Sequence, residues 1–449
     1  MNERKGSGAG LEKNVGTENP INLYRLSEMS PAEKEKILRR SRADIGEIKK
    51  QVSPIIEDVK TRGDVAVSEY LEKFDHVSLS PIEFRVSDKE KEDSYKKTPK
   101  ELLHLIKEQI KLSRRFFKKE FSCIDKRWEI ETVPGVKVGQ KHTAIASAGL
   151  YVPGGTAPYP TVMQNLAVAA KIAGVERIIA VTPPRENNHA VIVAACEAGV
   201  DEIYKIGGVS AIAALTYGTE NIKPVDKIVG PGNIFVTAAK LLVFGDVDID
   251  MPAGPSEAII FADEGADPAY CAADIMARAE HDENAAGVLV TWDKDLVEKT
   301  LKEINRQLPT LSRKKIIKEA LKRYSGIILT KNREEAIAFT NDYAPEHLEV
   351  LTKNPYADLK DFKNAGSIFL GYNTPVAIGD YASGTGHILP TGGWAKTFSG
   401  VGITTFMKTS EVQSATTEGL RNLAPIIKGI SKVEGLDAHW NSVEQRLGK

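Results

Sequence analysis

The rhythm of apolar and polar positions changes near Lys141. Upstream, from about Ser30 to Phe121, the pattern reads as helices with polar interruptions. One start is explicit: Thr98 can cap, Pro99 suits a first turn, and Leu102, Leu103, Ile106 and Ile110 recur at helical spacing. The other face of that helix carries Lys107, Lys111, Arg114, Arg115, Lys118 and Lys119 interleaved with acids, which reads as a solvated face rather than a nucleic-acid stripe. Downstream, short apolar runs alternate with Gly-bearing turns and Ala-rich helical stretches. The pattern predicts strands at 144–152, 177–181, 202–206 and 227–229, and helices at 164–172, 190–198, 211–217 and 236–242. A second stretch predicts strands at 258–261, 287–291, 326–329, 348–351 and 367–370, with helices at 269–279 and 333–341. After Val401 the chain reads mainly as helices. This β–α alternation with short turns predicts an α/β fold of parallel sheets with helices on both faces.

Length and charge narrow the class. At 449 residues, 42% of them hydrophobic, the chain can build two or more domains. Sixty basic against 61 acidic residues leave a net charge of −1, so nothing global favours nucleic acid or an anionic membrane. Cys123, Cys196 and Cys271 lack metal-type spacing and read as buried thiols in a reducing compartment. No apolar run approaches the ~20 residues a membrane span needs. Residues 1–20 are rich in Gly, Ser and charge and lack an apolar signal-peptide core, so a disordered tail on a soluble, cytoplasmic protein is expected.

Candidate chemistry gathers at two kinds of place. Gly-bearing loops at 153–155, 207–208 and 230–232 fall at strand ends, where open α/β sheets bind ligands, but none is a G-x-G-x-x-G. Dinucleotide binding and plain tight turns both fit them. Four of the eight histidines sit beside acids: Glu280-His281-Asp282, Glu346-His347, Asp380 running on to His387, and Glu434 followed by His439. Imidazole titrates near neutrality and ligates divalent metals, and a neighbouring carboxylate tunes either role. His281, Asp380 and His439 supply two imidazoles and a carboxylate, a set that zinc accepts, although each histidine alone reads better as a structural residue. Glu346-His347 follows Pro345 on a turn opening into a strand, which makes it the acid/base candidate; a surface pair at a strand start is the competing reading.

Several long segments resemble histidinol dehydrogenases: VGPGNIFVTAAK (229–240), DIDMPAGPSE (248–257), AEHD (279–282), YAPEHLEV (343–350), AGSIFLG (365–371) and GDYASGTGHILPTGG (379–393). The resemblance runs from roughly Arg39 to Arg446. It implies two incomplete Rossmann-like doubly wound domains with small helical N- and C-terminal extensions. The corresponding bounds are an extension at 1–38, a discontinuous α/β domain at 39–150 and 257–400, a Rossmann-like domain at 151–256, and a C-terminal extension at 401–449 exchanged in a homodimer. It further implies a zinc-associated enzyme that oxidises L-histidinol through L-histidinal to L-histidine with NAD, in histidine biosynthesis. By that resemblance Glu346 activates water and His347 is the general base. His281, Asp380 and His439 hold zinc, with His439 reaching in from the partner subunit. Ser256, His387 and Glu434 contact substrate, and Tyr151 and Asn233 contact the cofactor.

Three positions depart from the family pattern. Arg278 replaces a glutamine that ligates the metal, Ser210 replaces a cofactor-contacting glutamine, and Gly386 replaces an asparagine before His387. A guanidinium has no lone pair for zinc. A second reading therefore keeps NAD, Glu346 and His347 but oxidises another small, anionic alcohol, with Arg278 pairing its carboxylate, phosphate or sulfonate. A third, a non-enzymatic binding protein on the same scaffold, predicts no turnover.

Overall fold

The structure, a computed structural model, describes residues 19–40, 45–154 and 158–448; the expected tail over residues 1–18 and Gly155 of the first Gly-bearing loop lie outside them. Two compact units emerge. One comprises residues 1–42, 254–376 and 390–398, the other residues 43–253, 377–389 and 399–449. The sequence reading grouped 39–150 with 257–400, but the helices Ile45–Arg62 and Asp64–Asp75 bury Val52, Ile56, Val59, Val67 and Leu71 in one core with Ile179, Ile212 and Ile228. Apolar faces on those helices draw 45–75 to the nearer sheet in sequence.

The first unit is a six-stranded parallel sheet in the order Asn22–Arg25, Gly326–Leu329, Ala286–Thr291, Glu257–Ala262, His347–Leu351, Ser367–Leu370. Its strands Glu257–Ala262, Ala286–Thr291 and His347–Leu351 are buried at every position, as in a sheet covered on both faces. Pro268–Ala279, Lys294–Gln307 and Lys314–Arg323 pack on one face around Ile260, Leu289 and Leu351. Arg333–Tyr343 packs on the other around Phe261, Leu348 and Val350. Helix starts follow the sequence: Pro268 opens its helix behind Asp267, whose Oδ1 accepts the Ala269 N–H at 2.8 Å.

The second unit holds a five-stranded parallel sheet in the order Glu202–Tyr204, Arg177–Val181, Ser147–Tyr151, Lys227–Val229, Asp248–Ile249. Strand order reverses on either side of Ser147–Tyr151, the kind of switch point at which open α/β sheets bind ligands beyond the carboxyl ends of their strands. This unit also contains a three-stranded antiparallel sheet of Arg127–Val133, Val136–Ala144 and Met407–Ala415.

Three expectations are corrected here. Thr98 does not open the helix Lys100–Ser122; it closes the preceding one, Asp88–Lys97, with Oγ1 donating to Ser94 O at 2.8 Å. Residues after Val401 are not mainly helical from the outset, because Met407–Ala415 is a strand before the helices Thr417–Glu434 and Asp437–Leu447. Of the three thiols only Cys271 is buried; Cys123 is exposed and Cys196 half-buried. Among the described residues no helix is long and apolar enough to cross a membrane.

Candidate active site

The acid–imidazole pair is built by an abrupt helix-to-strand reversal. Helix Arg333–Tyr343 ends at Ala344, whose φ of 50° and ψ of 69° place it in the left-handed region. A residue before proline prefers extended backbone, so Ala344 is strained on two counts. The chain then enters strand His347–Leu351, with His347 opposite Ala258 on one side and Ser367 on the other. Glu346 and His347 are both buried, at 6% and 1% exposure, which excludes the surface-pair reading.

Glu257, the first residue of the neighbouring strand, holds both. Its amide donates to Glu346 Oε2 at 2.9 Å, and the Glu346 amide donates back to Glu257 Oε1 at 3.3 Å. The His347 Nδ1 lies 3.2 Å from the Glu257 carbonyl oxygen and 3.4 Å from Glu346 Oε2. A carbonyl can only accept, so Nδ1 carries the hydrogen and Nε2 is the basic nitrogen of the ring. The Glu257 carboxylate also accepts the Gly392 amide at 3.0 Å and faces Arg40, with Nη2 3.0 Å from Oε1 and Nε 2.8 Å from Oε2. Burial pushes the Glu257 carboxyl up to about 7, with Arg40 opposing and the Glu346 charge adding to the rise. Burial works against ionised Glu346 as well, yet His347, Arg278 and the Glu257 amide outweigh it and hold that carboxyl below its usual value.

Arg278, on helix Pro268–Ala279, is buried and donates through Nη1 to Ser256 Oγ at 3.1 Å. Two of the expected substrate-contacting residues are thus joined directly, beside the acid–imidazole pair. One turn earlier on the same helix Asp274 meets Glu349, which shares a strand face with His347. Glu349 is fully buried; its Oε1 accepts the Val376 amide at 2.6 Å, while Oε2 has no donor apart from what Asp274 brings. Burial pushes Asp274 up to about 6 and Glu349 well above the usual carboxylate range, with the Asp274 charge adding to the rise of Glu349.

The remaining predicted residues are placed as follows. His281 lies just beyond helix Pro268–Ala279, half-buried, with its amide donating to Arg278 O. Asp380 is half-buried on Val376–Tyr381, and His387 is half-buried in the loop that follows. Glu434 ends helix Thr417–Glu434 and His439 lies on Asp437–Leu447, both exposed. Among the described residues no three His, Cys, Asp or Glu side chains gather so as to hold a metal ion. The donor types suit zinc, and Arg278 puts a fixed cation one helical turn before His281.

Tyr151, Ser210 and Asn233 all fall in the second unit at carboxyl ends of its strands or at starts of the helices that follow. Tyr151 Oη accepts the Gly208 amide at 3.1 Å. Ser210 directs its hydroxyl to Gly207 O at 3.1 Å, so it is engaged in its own helix turn. Asn233, exposed, caps helix Ile234–Val243, with Oδ1 accepting from the Phe235 and Val236 amides. Gly230 has a φ of 134°, and a Cβ there would lie 2.1 Å from the Tyr151 carbonyl oxygen, so only glycine lets the two strand ends close up. Gly386 is similarly confined: its Cβ would come 2.6 Å from Val401 O, which leaves no room for an asparagine without a shift.

Sequence reasoning missed Arg40, Glu257, Asp274 and Glu349. Glu257 and Glu349 carried a usable signal, the first adjoining Ser256 and the second two residues beyond His347 on a strand. Arg40 carried none.

A parallel α/β fold with a buried carboxylate–imidazole pair at strand ends has the groups with which enzymes move protons. The particular kind follows from its relatives. A family model for histidinol dehydrogenase matches residues 38–447. The histidinol dehydrogenase of Methanothermobacter thermautotrophicus is 45% identical over 428 residues, covering 95% of this chain and 99% of that protein. That of Bacillus subtilis is 44% identical over 426 residues, covering 94% and 98%. The crystal structure of histidinol dehydrogenase from Elizabethkingia anophelis matches with a TM-score of 0.90 at 36% identity, covering 96% of this chain and 99% of that one. This chain belongs to the histidinol dehydrogenase family and is an oxidoreductase.

Proposed function

We propose that the protein oxidises L-histidinol through L-histidinal to L-histidine with NAD, as a step of histidine biosynthesis. The observation that carries this is the buried Glu346–His347 pair, oriented by Glu257, in a chain of this family. His347 takes the alcohol proton at Nε2 in each oxidation, since the Glu257 carbonyl and Glu346 hold Nδ1 as the donor. Glu346, kept ionised, accepts a proton from the water that adds to the aldehyde. Tyr151 and Asn233 bind NAD at the switch point between Ser147–Tyr151 and Lys227–Val229, whose Gly230 turn is pinned by Lys240 and Asp250. Zinc belongs to this reading only through His281, Asp380 and His439 of the partner subunit of a homodimer.

Arg278 favours one second reading. A buried guanidinium bonded to Ser256 can pair with an anionic group of a different small alcohol. NADH formation with histidinol against a panel of carboxylated, phosphorylated and sulfonated alcohols tests both, alongside metal analysis of the purified protein. Turnover of histidinol alone supports the first; turnover restricted to an anionic alcohol replaces it.

A further inference from the structure

We propose that Arg40 and Glu257 form a buried clasp that holds Glu346 and His347 in working geometry, which makes both of them positioning residues of the reaction. The inference rests on the reading of Glu346 and His347 as the proton-moving pair.

Glu257 touches that pair with three different groups. Its amide fixes the Glu346 carboxylate, its carbonyl fixes the His347 tautomer, and its carboxylate receives the Glu346 amide. The same carboxylate accepts from Gly392 and meets Arg40 through two nitrogens. Without Arg40, two buried carboxylates, Glu257 and Glu346, would face each other with their charges unbalanced, and one of them would have to take up a proton.

Arg40 also reaches past Glu257. Its Nη2 donates to the Tyr343 carbonyl oxygen at 2.6 Å, Nη1 donates to Leu38 O at 3.0 Å, and the guanidinium carbon lies 3.3 Å from the centre of the Tyr343 ring. Tyr343 is the last residue of the helix that turns at Ala344 into the catalytic pair. The clasp therefore grips both the strand beside the pair and the turn that delivers it.

Backbone strain marks the same two ends. Among the described residues three non-glycines have positive φ, and two of them are Arg40 at 52° and Ala344 at 50°. Such conformations persist where surrounding contacts over-determine them, and they gather at functional sites. A buried ion pair serving stability alone is usually replaceable by apolar side chains, so strain at both ends argues for a positional role.

The test uses full-length protein with ¹⁵N-labelled histidine, and Glu257→Gln, Arg40→Met and Arg40→Lys variants. Without substrate, the wild-type His347 ring should show hydrogen on Nδ1 and a bare Nε2. In Glu257→Gln and Arg40→Met that single signature should be lost, with kcat down about 10²-fold, the cost of a small misplacement at a reacting centre, and KM for NAD unchanged. Arg40→Lys should recover part of the loss. Variants that keep both the signature and kcat overturn the proposal. So does a wild-type ring with its hydrogen on Nε2, a measurement that holds even if the variants do not fold. If the wild-type protein fails to oxidise histidinol while the ring signature follows the clasp, the proposed substrate falls and the clasp stands.

Discussion

His347 and Glu346 differ in what surrounds them, and their loss should differ too. His347→Asn is expected to depress both oxidations by about 10²–10⁴-fold, the usual worth of a positioned acid or base. Glu346→Gln is expected to impair mainly the aldehyde step, which alone consumes water; separate assays with histidinol and histidinal check this. Near-normal turnover of either variant contradicts the assignment. Arg278→Gln should raise zinc affinity, because a fixed cation a few ångströms from a divalent ion costs several kcal/mol even at an effective dielectric near 20. Zinc titration of the variant against wild type reads this directly, and unchanged affinity would mean that Arg278 lies clear of any metal. Glu346 and His347 stood out in the sequence because adjacent acid and imidazole are rare, and the structure buries both. Arg40 did not stand out: a basic residue on a charged N-terminal stretch reads as solvated, and only a partner 217 residues away makes it buried.

Among the elements, four strands with apolar interiors were readable to the residue, whereas the strand read at 202–206 ends at Tyr204. Strands Arg177–Val181, Lys227–Val229, Gly326–Leu329 and Ser367–Leu370 match their sequence-derived bounds. Met407–Ala415 was missed because it is mostly exposed and polar and shows no apolar alternation; it is a strand through its ladder with Val136–Ala144. Thr98 was misassigned because the capping box of Ser87 and Glu90 starts a helix that runs through Lys97 and claims Thr98 for its end. Between elements, the Asp274–Glu349 contact ties helix Pro268–Ala279 to strand His347–Leu351, and it has a pH signature. With Asp274 raised from 3.8 to about 6, the folded state holds a proton that the unfolded chain releases. That stabilisation is full below the unfolded value and fades as pH rises through the folded one. Wild type should therefore lose stability relative to Asp274→Asn between about pH 4 and pH 7, read as the difference in Tm across that range. A difference that grows in favour of wild type with rising pH would rule out the raised Asp274 carboxyl.

For the molecule as a whole, the parallel α/β class was visible from the β–α rhythm, whereas the partition of the chain was not, since the packing of 45–75 on the five-stranded sheet depends on which face each helix buries. Subunit sharing belongs to this scale. If His439 serves its partner's site, mixing inactive His439→Ala with inactive His281→Ala subunits should restore part of the activity. No recovery after verified subunit exchange would place the site within one chain.

The split of the first unit around the second also sets a timetable for synthesis. Among the described residues strand Asn22–Arg25 pairs with Gly326–Leu329 alone, and Arg40 meets Glu257 once that segment exists. At about 5–20 residues per second on the ribosome, the edge strand waits roughly 15–60 s for its neighbour. Meanwhile one core, drawn entirely from Val52 to Val247, can already close. The N-terminal segment therefore emerges first and docks late, which leaves an unpaired strand edge exposed on every nascent chain.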